Sequence, residues 1–402
     1  MIITADLHIH SSYSKHSSHP LNISTLAKQA AVKGIDVLGT GDCLHPKWIE
    51  EIRKLDSVDE GTFKLGGTYF VLTAEIETKD HVHHLLLFPS LKSIEQFRKQ
   101  VTTQYKNNFE EEGKPRIQCS SEEIAIHAKN SEALIGPAHI FDAVSGIYSI
   151  YNCLYECYHH MTPSIRFVEL GLGVDTHDAD RISELHDLTF LSNSDTHNPH
   201  PIRLGREFTR FQVKHPSFSQ IRKAITRLYG NRPILNCGFP PEEGKYYQTA
   251  CSHCHQRYSY HQARKQLWKC TCGRQIKKGI KDRIKEKASY SKPQHPLHRP
   301  LYLPLLPLHE IITRTLEEQN PFTDTVSYFY DQLISTFGSE IQVLLDTPIE
   351  DIAKTTIPPI TESIQSFRNA TILYHAGGGG VYGSTTIPSE KDRLLISLKH
   401  HR

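Results

Sequence analysis

Histidine and carboxylate side chains recur at the ends of predicted strands through the first 240 residues of this 402-residue chain. Short apolar runs alternate there with helical patterns, which favours an α/β fold with a parallel sheet, open or closed into a barrel. The predicted helices include one with Ser24 as N-cap that ends at Gly34, one that follows a capping box of Ser120 with Glu123, and one at 179–188. The carboxyl ends of parallel strands meet on one face, so side chains that are distant in sequence converge there. The residues at these ends are His8, His10, Asp42, Glu75, His139, Asp195 and His197.

Imidazole and carboxylate groups in this arrangement predict a centre of divalent metal ions. On extended chain, His8 and His10 point to the same side and can bind one ion together. A bridging carboxylate from Glu75 or Asp195 would let two or three ions of Zn, Mn or Mg lie close enough to activate a water and neutralise a leaving phosphate oxygen. We therefore assign catalytic roles to Glu75, Asp195 and His197.

Other histidines and acids near these strand ends are weaker candidates. A single histidine beside a strand is more often a surface or hydrogen-bonding residue, so the argument depends on the whole constellation. The additional candidates are His16, His45, His83, His84 and Glu169, of which His16 and His45 are included in the predicted metal-binding set.

Four of the nine cysteines lie close together in the sequence. Cys251 and Cys254 form a C-x2-C pair, and Cys270 and Cys272 form a C-x-C pair after 15 intervening residues. Two thiolate pairs at this separation predict a zinc ribbon in which four sulfurs bind one structural Zn. Buried or incidental thiols are the alternative interpretation.

The cysteines lie within a strongly basic segment. Between Lys245 and Lys292 there are 13 Lys and Arg residues against 2 acids, although the formal net charge of the chain is only +2. Interleaved tyrosines and a tryptophan make this composition suitable for following phosphates and stacking bases. A solvated basic helix is the plainer alternative for the lysines at 277–287. The DNA-binding candidates are Arg203, Arg206, Lys277, Lys278 and Lys281.

Proline and glycine mark two predicted domain boundaries. Pro240, Pro241 and Gly244 indicate a linker, and Lys292–Pro307 is rich in proline and histidine. We predict a metal-binding α/β domain at 1–238, a zinc-ribbon domain at 239–290 and a mainly helical domain at 291–402. Gly377–Gly380 lacks the context of a phosphate-binding loop and is predicted to be a flexible loop.

Composition indicates a water-soluble protein without a membrane partner. No apolar run approaches the roughly 20 residues that span a bilayer, and the first residues lack a basic and apolar leader pattern. The cysteine pattern suits metal binding rather than a disulfide framework. We therefore expect a cytoplasmic, nucleoid-associated protein.

Three motifs resemble the signatures of the polymerase-and-histidinol-phosphatase (PHP) superfamily. They are Asp-Leu-His-Ile-His-Ser at 6–11, Pro-Ala-His at 137–139 and Ser-Asn-Ser-Asp-Thr-His at 192–197. The resemblance covers about residues 1–236 and implies a distorted (β/α)7 barrel with a trinuclear metal centre, usually of zinc, manganese or iron, that hydrolyses phosphoesters. Many superfamily members carry histidine where Asp42 stands here.

The barrel motifs followed by Cys-Ser-His-Cys and Cys-Thr-Cys-Gly-Arg-Gln-Ile-Lys-Lys-Gly resemble the endonuclease Q family over the whole chain. This resemblance implies a repair nuclease that cuts DNA 5′ to a deaminated base (uracil, hypoxanthine or xanthine) or an abasic site. The residues alone lead only to phosphodiester hydrolysis on a polyanion. A small-molecule phosphoesterase of the histidinol-phosphatase kind and a non-catalytic zinc-ribbon DNA-binding protein remain the alternatives.

Overall fold

The fold is described from a computed structural model that covers residues 1–15 and 21–388, so the candidate His16 lies outside the described residues. The strands are β1 Ile2–Asp6, β2 Val37–Gly39, β3 Asp56–Asp59, β4 Thr62–Leu65, β5 Thr68–Glu77, β6 His83–Phe88, β7 Leu134–Pro137, β8 Phe167–Glu169, β9 Thr189–Leu191, β10 Phe208–Gln212, β11 Arg232–Gly238, β12 Ala250–Cys251, β13 Ile276–Lys277, β14 Leu301–Pro304, β15 Leu373–His375 and β16 Ser384–Thr386. The α-helices are α1 Ile23–Lys33, α2 Pro46–Ile52, α3 Leu91–Tyr105, α4 Ser121–Asn130, α5 Ile147–Ile150, α6 Leu154–Tyr158, α7 Thr176–Ala179, α8 Phe218–Ile225, α9 Tyr260–Lys265, α10 Ile280–Lys287, α11 Leu308–Thr315, α12 Asp324–Phe337, α13 Ile349–Thr355 and α14 Pro358–Arg368.

The chain forms two compact units, each assembled from separate segments. The first unit consists of Met1–Gly171, Ala179–Cys237 and Ser289–Tyr302. The second consists of Leu172–Asp178, Gly238–Ala288 and the chain from Leu303 onward. The predicted domain boundaries at 238 and 290 stay a prediction, because compactness alone does not identify an independently folding segment.

A large mixed sheet forms the centre of the first unit. Its strand order includes β11-β10-β1-β2-β5-β4-β3, and β6 joins β5 and β7 joins β6. Strands β1, β2 and β5 are parallel to one another, and β8 is parallel to β9 in a separate pair. Apolar side chains from these strands and from α8 form one buried core that includes Leu7, Val37, Val71, Phe167 and Phe211.

Two pairings are antiparallel where a parallel sheet was predicted. Strand β5 pairs antiparallel with β6, and β6 pairs antiparallel with β7. Only five residues, 78–82, connect β5 to β6. A parallel connection needs a crossover of a dozen or more residues, so this short link forms a hairpin instead. The hairpin determines which side chains lie beside Glu75.

Most of the predicted capping residues begin or end a helix at the predicted position. Ser120 and Glu123 form the predicted capping box at the start of α4, and Gly34 ends α1 with a φ of 94°. The N-cap of α1 is Asn22, which accepts a hydrogen bond from the Thr25 amide, rather than the predicted Ser24. The prediction at Ser24 was therefore wrong by two residues. Serine and asparagine are both favoured N-cap residues, so the sequence did not distinguish between the two positions.

The helix predicted at 179–188 is wrong. The segment contains the end of α7 and a 3-10 turn at Ser183–Leu185. The carbonyls of Leu185 and Leu188 accept hydrogen bonds from the Arg299 guanidinium at 3.1 and 2.7 Å. The same guanidinium pairs with the fully buried Asp180 carboxylate and lies over the Phe190 ring. These tertiary contacts bind residues 180, 185 and 188 to Arg299 in the observed turn conformation.

The second unit contains the cysteine segment and most of the C-terminal helices. Strands β12 and β13 pair antiparallel, and β15 pairs antiparallel with β16. The glycines at 377–380, predicted to be a flexible loop, instead pack against the cysteine segment. The Gln248 amide donates to the Gly377 carbonyl at 2.9 Å, and a Cβ on Gly379, whose φ is 63°, would lie 2.3 Å from the Cys251 carbonyl oxygen. Only glycine permits this approach.

In residues 1–15 and 21–388, no helix combines the length and the hydropathy that crossing a bilayer requires.

Replacing Arg299 by Met should destabilise the first unit strongly. The Asp180 side chain is fully buried, and without Arg299 its remaining side-chain partner among the described residues is the half-exposed His295, whose Nδ1 lies 2.8 Å from Asp180 Oδ2 and which carries charge only when protonated. Breaking a buried pair of this kind typically costs about 3–5 kcal/mol. Urea unfolding followed by circular dichroism measures the change in the free energy of unfolding. The matched control is Arg53→Met, which breaks an exposed pair with Glu95 worth at most about 1 kcal/mol. Equal losses in the two variants would contradict a structural role for the buried pair.

Candidate metal centres

Four predicted ligands converge at the end of the parallel strands. The Asp195 amide donates to the His8 carbonyl and the His10 amide to the Thr196 carbonyl, which holds the segment after β1 against the segment after β9. His10 Nε2 lies 3.3 Å from Glu75 Oε2 and 3.1 Å from Asp195 Oδ1, and His8 Nε2 lies 3.6 and 3.4 Å from the same oxygens. The four ligand atoms lie within 4.8 Å of one another, as one bound ion requires.

The second oxygen of Glu75 belongs to another ligand group. Glu75 Oε1 lies 2.7 Å from His83 Nδ1 and 3.1 Å from His139 Nε2. One ligand atom from each of these three residues also lies within 4.8 Å of the other two, which is close enough to bind one shared ion. Glu75 is thus placed to bridge two neighbouring metal positions, one on each carboxylate oxygen. It lies inside β5 rather than after a strand, so the prediction of its position was wrong, since β5 extends to Glu77.

Further carboxylates orient both imidazoles of the first group. Glu169 Oε2 lies 2.8 Å from His8 Nδ1, and Asp42 Oδ1 lies 3.2 Å from His10 Nδ1. A carboxylate on the far ring nitrogen fixes the orientation and the tautomer of a ligating histidine. Both Nε2 atoms consequently face Glu75 and Asp195.

The backbone is strained at several of these positions. Asp42, His139 and Asp195 have φ values of 47°, 28° and 47°. Non-glycine residues with positive φ cost free energy and persist where the surrounding structure holds them, often at functional sites. The strain therefore supports a functional site here.

Burial and charge act in opposite directions on the imidazoles. Burial alone would lower the pKa of His8, but the charges of Glu169, Asp195 and Glu75 outweigh it and raise the pKa well above its ordinary value. His139 follows the same pattern, since the hydrogen bond and charge of Glu75 overcome burial and raise its pKa to about 9. Burial would raise the pKa of Asp195, but His8 and His10 hold it below its usual range. The pocket thus favours cations beside ionised carboxylates.

Asp42 has several protein partners in addition to His10. Its Oδ2 accepts hydrogen bonds from the Ser11 amide at 2.7 Å, the Ser11 hydroxyl at 2.6 Å and the Ser14 hydroxyl at 2.9 Å. A Cβ on Gly113 would lie 2.5 Å from the Asp42 carboxyl carbon, so a neighbouring loop closes over the group. The predicted role of Asp42 as a direct metal ligand stays a prediction.

Three other histidines lie outside the two ligand groups. The His197 ring stacks on His10 with centroids 4.1 Å apart. The His45 ring stacks on Tyr13, and its Nε2 lies 3.2 Å from the Glu110 carbonyl oxygen. His84 is buried between Tyr158 and Ser121, and burial lowers its pKa to about 3. The metal roles of His45 and His197 stay predictions.

Three residues outside the predicted ligand set lie beside the ligand groups: His83 and Glu169, which were weaker candidates, and Lys114, which was not predicted. Lys114 Nζ lies 3.4 Å from Glu75 Oε2. The hairpin of β5 and β6 was the signal for His83, because Glu75 pairs with Leu85 and its diagonal neighbour on the same face is His83. Lys114 lies in an irregular segment without a periodic pattern.

The four predicted cysteines form a second cluster, in the second unit. Cys251 Sγ lies 3.5 Å from Cys272 Sγ, and Cys254 Sγ lies 3.4 Å from Cys270 Sγ. All four sulfurs lie within 4.8 Å of one another. The Tyr258 hydroxyl, 3.1 Å from Cys270 Sγ, is the main cause that lowers the pKa of this thiol to about 6. A thiolate is the form that binds a metal.

The predicted DNA-binding cations differ in what they contact. Lys277 and Lys281 are exposed and lie over the rings of Tyr246 and Tyr247. Lys278 instead pairs with both oxygens of Glu286 at 2.8 Å and lies over Trp268. In the first unit Arg203 is exposed, whereas Arg206 Nε donates to the Ser194 carbonyl at 3.1 Å. Their roles in DNA binding stay predictions.

Solved structures similar to this chain include the lesion-specific endonuclease Q of Pyrococcus furiosus. The two share 43% identity with a TM-score of 0.93, over 97% of this chain and 96% of the other. The chain belongs to the endonuclease Q family. An endonuclease Q bound to a 27-mer duplex with an abasic lesion at its active site is also 43% identical, with a TM-score of 0.90 over 98% of each chain.

Other relatives of this endonuclease Q chain are uncharacterised proteins. YqxK of Bacillus subtilis is 30% identical over 95% of this chain and 98% of its own length. MJ0043 of Methanocaldococcus jannaschii is 42% identical over 257 residues, which are 62% of this chain and 32% of that protein. The chain thus spans about a third of MJ0043. The family model of the MJ0043 C-terminal domain matches residues 307–371.

The endonuclease Q relatives confirm the predicted family and the α/β fold class, and the cysteine cluster is consistent with the predicted zinc ribbon. They also bear out the predicted class of enzyme, an endonuclease, which is a hydrolase of phosphodiester bonds. Both side-chain clusters suit metal binding, as predicted.

Replacing Glu75 by Gln should reduce metal binding at both of the positions that its carboxylate oxygens face. The carboxylate faces both ligand groups, whereas His83 belongs to only one of them. We expect Glu75→Gln to lose about two ions and His83→Ala about one, because each ligand group needs its carboxylate or imidazole donors. Metal content is measured by inductively coupled plasma mass spectrometry, with the cysteine-bound ion as an internal reference. Equal losses in the two variants would argue against Glu75 as a bridge.

Replacing Cys254 by Ser should remove the ion of the cysteine cluster and unfold its segment, because a structural zinc supplies folding free energy. Metal analysis and hydrogen exchange of residues 245–288 measure the two effects. Cys153→Ser is the matched control, since Cys153 lies far along the chain from this cluster. Unchanged zinc in the Cys254 variant would refute the ribbon assignment.

Proposed function

We propose that this chain is a DNA-repair endonuclease that hydrolyses the phosphodiester bond 5′ to a deaminated base (uracil, hypoxanthine or xanthine) or an abasic site. The observation that carries the proposal is the pair of ligand groups sharing Glu75, in a chain 43% identical to a lesion-specific endonuclease over 97% of its length. The relative that holds a duplex with an abasic lesion at its active site supports DNA as the substrate.

The donor set fits divalent ions. Among the described residues, His8 Nε2 and Glu75 Oε2 are buried atoms without a hydrogen-bond partner, which suits atoms that bind metal. Imidazole-rich sites favour Zn or Mn over Mg, and four thiolates favour Zn. We propose that the histidine and carboxylate groups bind two ions, or three as the family resemblance implies. We also propose that the four cysteines bind one structural Zn. Ions bound in the barrel would supply an activated water and neutralise charge on the phosphate.

The protein side chains orient the donors and handle the proton. Glu169 and Asp42 fix the rings of His8 and His10, so neither ring needs to reorganise when substrate binds. His197 has its pKa lowered to about 4, first by burial and then by the charge of His10, so its ring is neutral at physiological pH. The role of proton acceptor for His197 rests on its place beside the ligand group, where its ring stacks on His10 with centroids 4.1 Å apart. The products would carry 3′-hydroxyl and 5′-phosphate ends.

Lesion preference follows from the cost of turning a base out of the duplex. Uracil and hypoxanthine pair more weakly than the normal bases, which lowers a cost of a few kcal/mol. A pocket that donates hydrogen bonds to carbonyl oxygens would reject cytosine and adenine, because their amino groups leave those donors unpaired at roughly 1–3 kcal/mol each. Acting on DNA, the enzyme would be cytoplasmic and associated with the nucleoid.

The test is cleavage of duplexes that differ by a single lesion. Labelled duplexes with one uracil, hypoxanthine or abasic site, and the undamaged duplex, are resolved on a denaturing gel without alkali. We expect a nick on the 5′ side with the altered base still attached to the downstream fragment. Equal cutting of undamaged duplex, or release of free base, would refute the lesion-specific endonuclease and leave an unspecified phosphodiesterase.

Asp195→Asn separates catalysis from binding in the same assay. The change keeps the size of the side chain but removes a charge that faces both His8 and His10. We expect cleavage to fall by at least about 10²–10³-fold, since charge stabilisation at the reacting group is lost. DNA affinity should stay within about tenfold, roughly 1.4 kcal/mol. Asp56→Asn, on the exposed strand β3, is the matched control and should cut normally.

A further inference from the structure

Lys114 is held at the metal-ligand cluster by the backbone on both of its sides. The Gly113 amide donates to the Tyr13 carbonyl at 2.9 Å, and the Pro115 carbonyl accepts from the Glu77 amide at 3.1 Å. Ile117 donates in turn to the Glu77 carbonyl at 2.8 Å. The segment therefore runs along the end of β5 in a fixed position, and Lys114 is directed to the ligand cluster rather than to bulk water.

The ammonium of Lys114 shares an oxygen with the candidate ligands. Its Nζ lies 3.4 Å from Glu75 Oε2, and the same oxygen lies 3.3 Å from His10 Nε2. The side chain is only 25% exposed. Lysine is rarely buried without a partner, so a lysine in this position needs a compensating interaction and a reason for its placement.

Exposure shows which side chains border the opening of the site. His8, His10 and Glu75 are at most 1% exposed, whereas Asp195 is 34% and Lys114 25% exposed. His83 and His139 are each 13% exposed, so Asp195 and Lys114 are the most accessible among the members of the two ligand groups and Lys114, and a phosphodiester that approaches from solvent can reach both. Asp195 repels a phosphate, so Lys114 is the side chain of this pair that attracts one.

We propose that Lys114 is a catalytic residue that contacts a non-bridging oxygen of the scissile phosphate. The proposal rests on the phosphodiesterase function proposed above. Attack on a phosphodiester raises the negative charge on the non-bridging oxygens in the transition state. A fixed ammonium in a site largely closed to water stabilises that charge more than it stabilises the ground state, which increases kcat. The step involves no bond to lysine, and the ammonium keeps its proton throughout.

The experiment compares Lys114→Met with Lys114→Arg in the full chain loaded with Mn²⁺ or Zn²⁺. Met keeps the length of the side chain and removes the charge, whereas Arg keeps the charge. Rates are measured on a duplex with one abasic site and on bis(4-nitrophenyl) phosphate. Barrel metal content and duplex affinity are measured on the same preparations, the affinity with Ca²⁺ in place of the active ion. Lys79→Met, an exposed lysine that follows β5, is the matched control.

We expect Lys114→Met to lower kcat on both substrates on the order of 100-fold, as loss of one charge-stabilising donor does. Duplex affinity should change by less than about threefold and metal content should stay constant, while Lys114→Arg should recover at least about tenfold of the lost rate. Lys79→Met should match the wild type.

Two results would overturn the proposal for Lys114. One is a kcat within about threefold of the wild type in Lys114→Met. The other is a loss of barrel metal in proportion to the loss of rate, which would make Lys114 a structural partner of Glu75. If the wild type hydrolyses the small diester but does not nick the abasic duplex, the proposed DNA function fails while Lys114 is still tested on the diester. A metal-loaded wild type that hydrolyses neither substrate contradicts both proposals.

Discussion

The Glu75 carboxylate is buried, and imidazole rings contact both of its oxygens. The rest of the site depends on how the negative charge of this carboxylate is compensated. A buried carboxylate without a partner is costly, so its neighbours must supply positive charge. The raised pKa values of His8, His10 and His139 show that protons can do this. Divalent ions need the same lone pairs, so metal binding must displace those protons and weaken at low pH.

The convergence of His8, His10, His139 and Asp195 was predictable from sequence because it depends on simple geometry, whereas Glu75 lies inside β5 rather than after it. Side chains after parallel strands meet on one face, and alternate residues of extended chain share a side. His83 did not fit this rule, because it reaches Glu75 through the antiparallel pairing of β5 with β6. The five-residue link between those strands was the available signal. Lys114 reaches the site through backbone hydrogen bonds that no sequence pattern predicts.

Residue type alone does not tell which carboxylate contacts the Nδ1 atom of a histidine and which faces its Nε2 atom. Asp42 and Glu169 contact the Nδ1 atoms of His10 and His8, whereas Asp195 faces their Nε2 atoms. In the sequence, a carboxylate that follows a strand looks the same whether it contacts Nδ1 or faces Nε2 of a histidine. The difference arises from tertiary partners, such as the two serines that occupy Asp42 and the φ of 47° that aims Asp195. The fold class could be predicted from the alternation of strand and helix patterns along the chain. It was therefore more predictable than the roles of these carboxylates.

In the basic segment, too, residue type predicts the general property, whereas tertiary partners determine what each side chain can contact. A count of lysines and arginines predicts attraction to a polyanion, because long-range attraction depends on the summed charge. Which cations can contact phosphate depends on what each one already binds. Lys278 is occupied by Glu286 and by Trp268, whereas Lys277 and Lys281 lie exposed over single tyrosines. An aromatic ring beneath a lysine holds the ammonium without neutralising it, so such a cation can contact a phosphate without first breaking an ion pair. The glycines at 377–380 brace the cysteine segment through backbone contacts, which limits the rearrangement that binding would require.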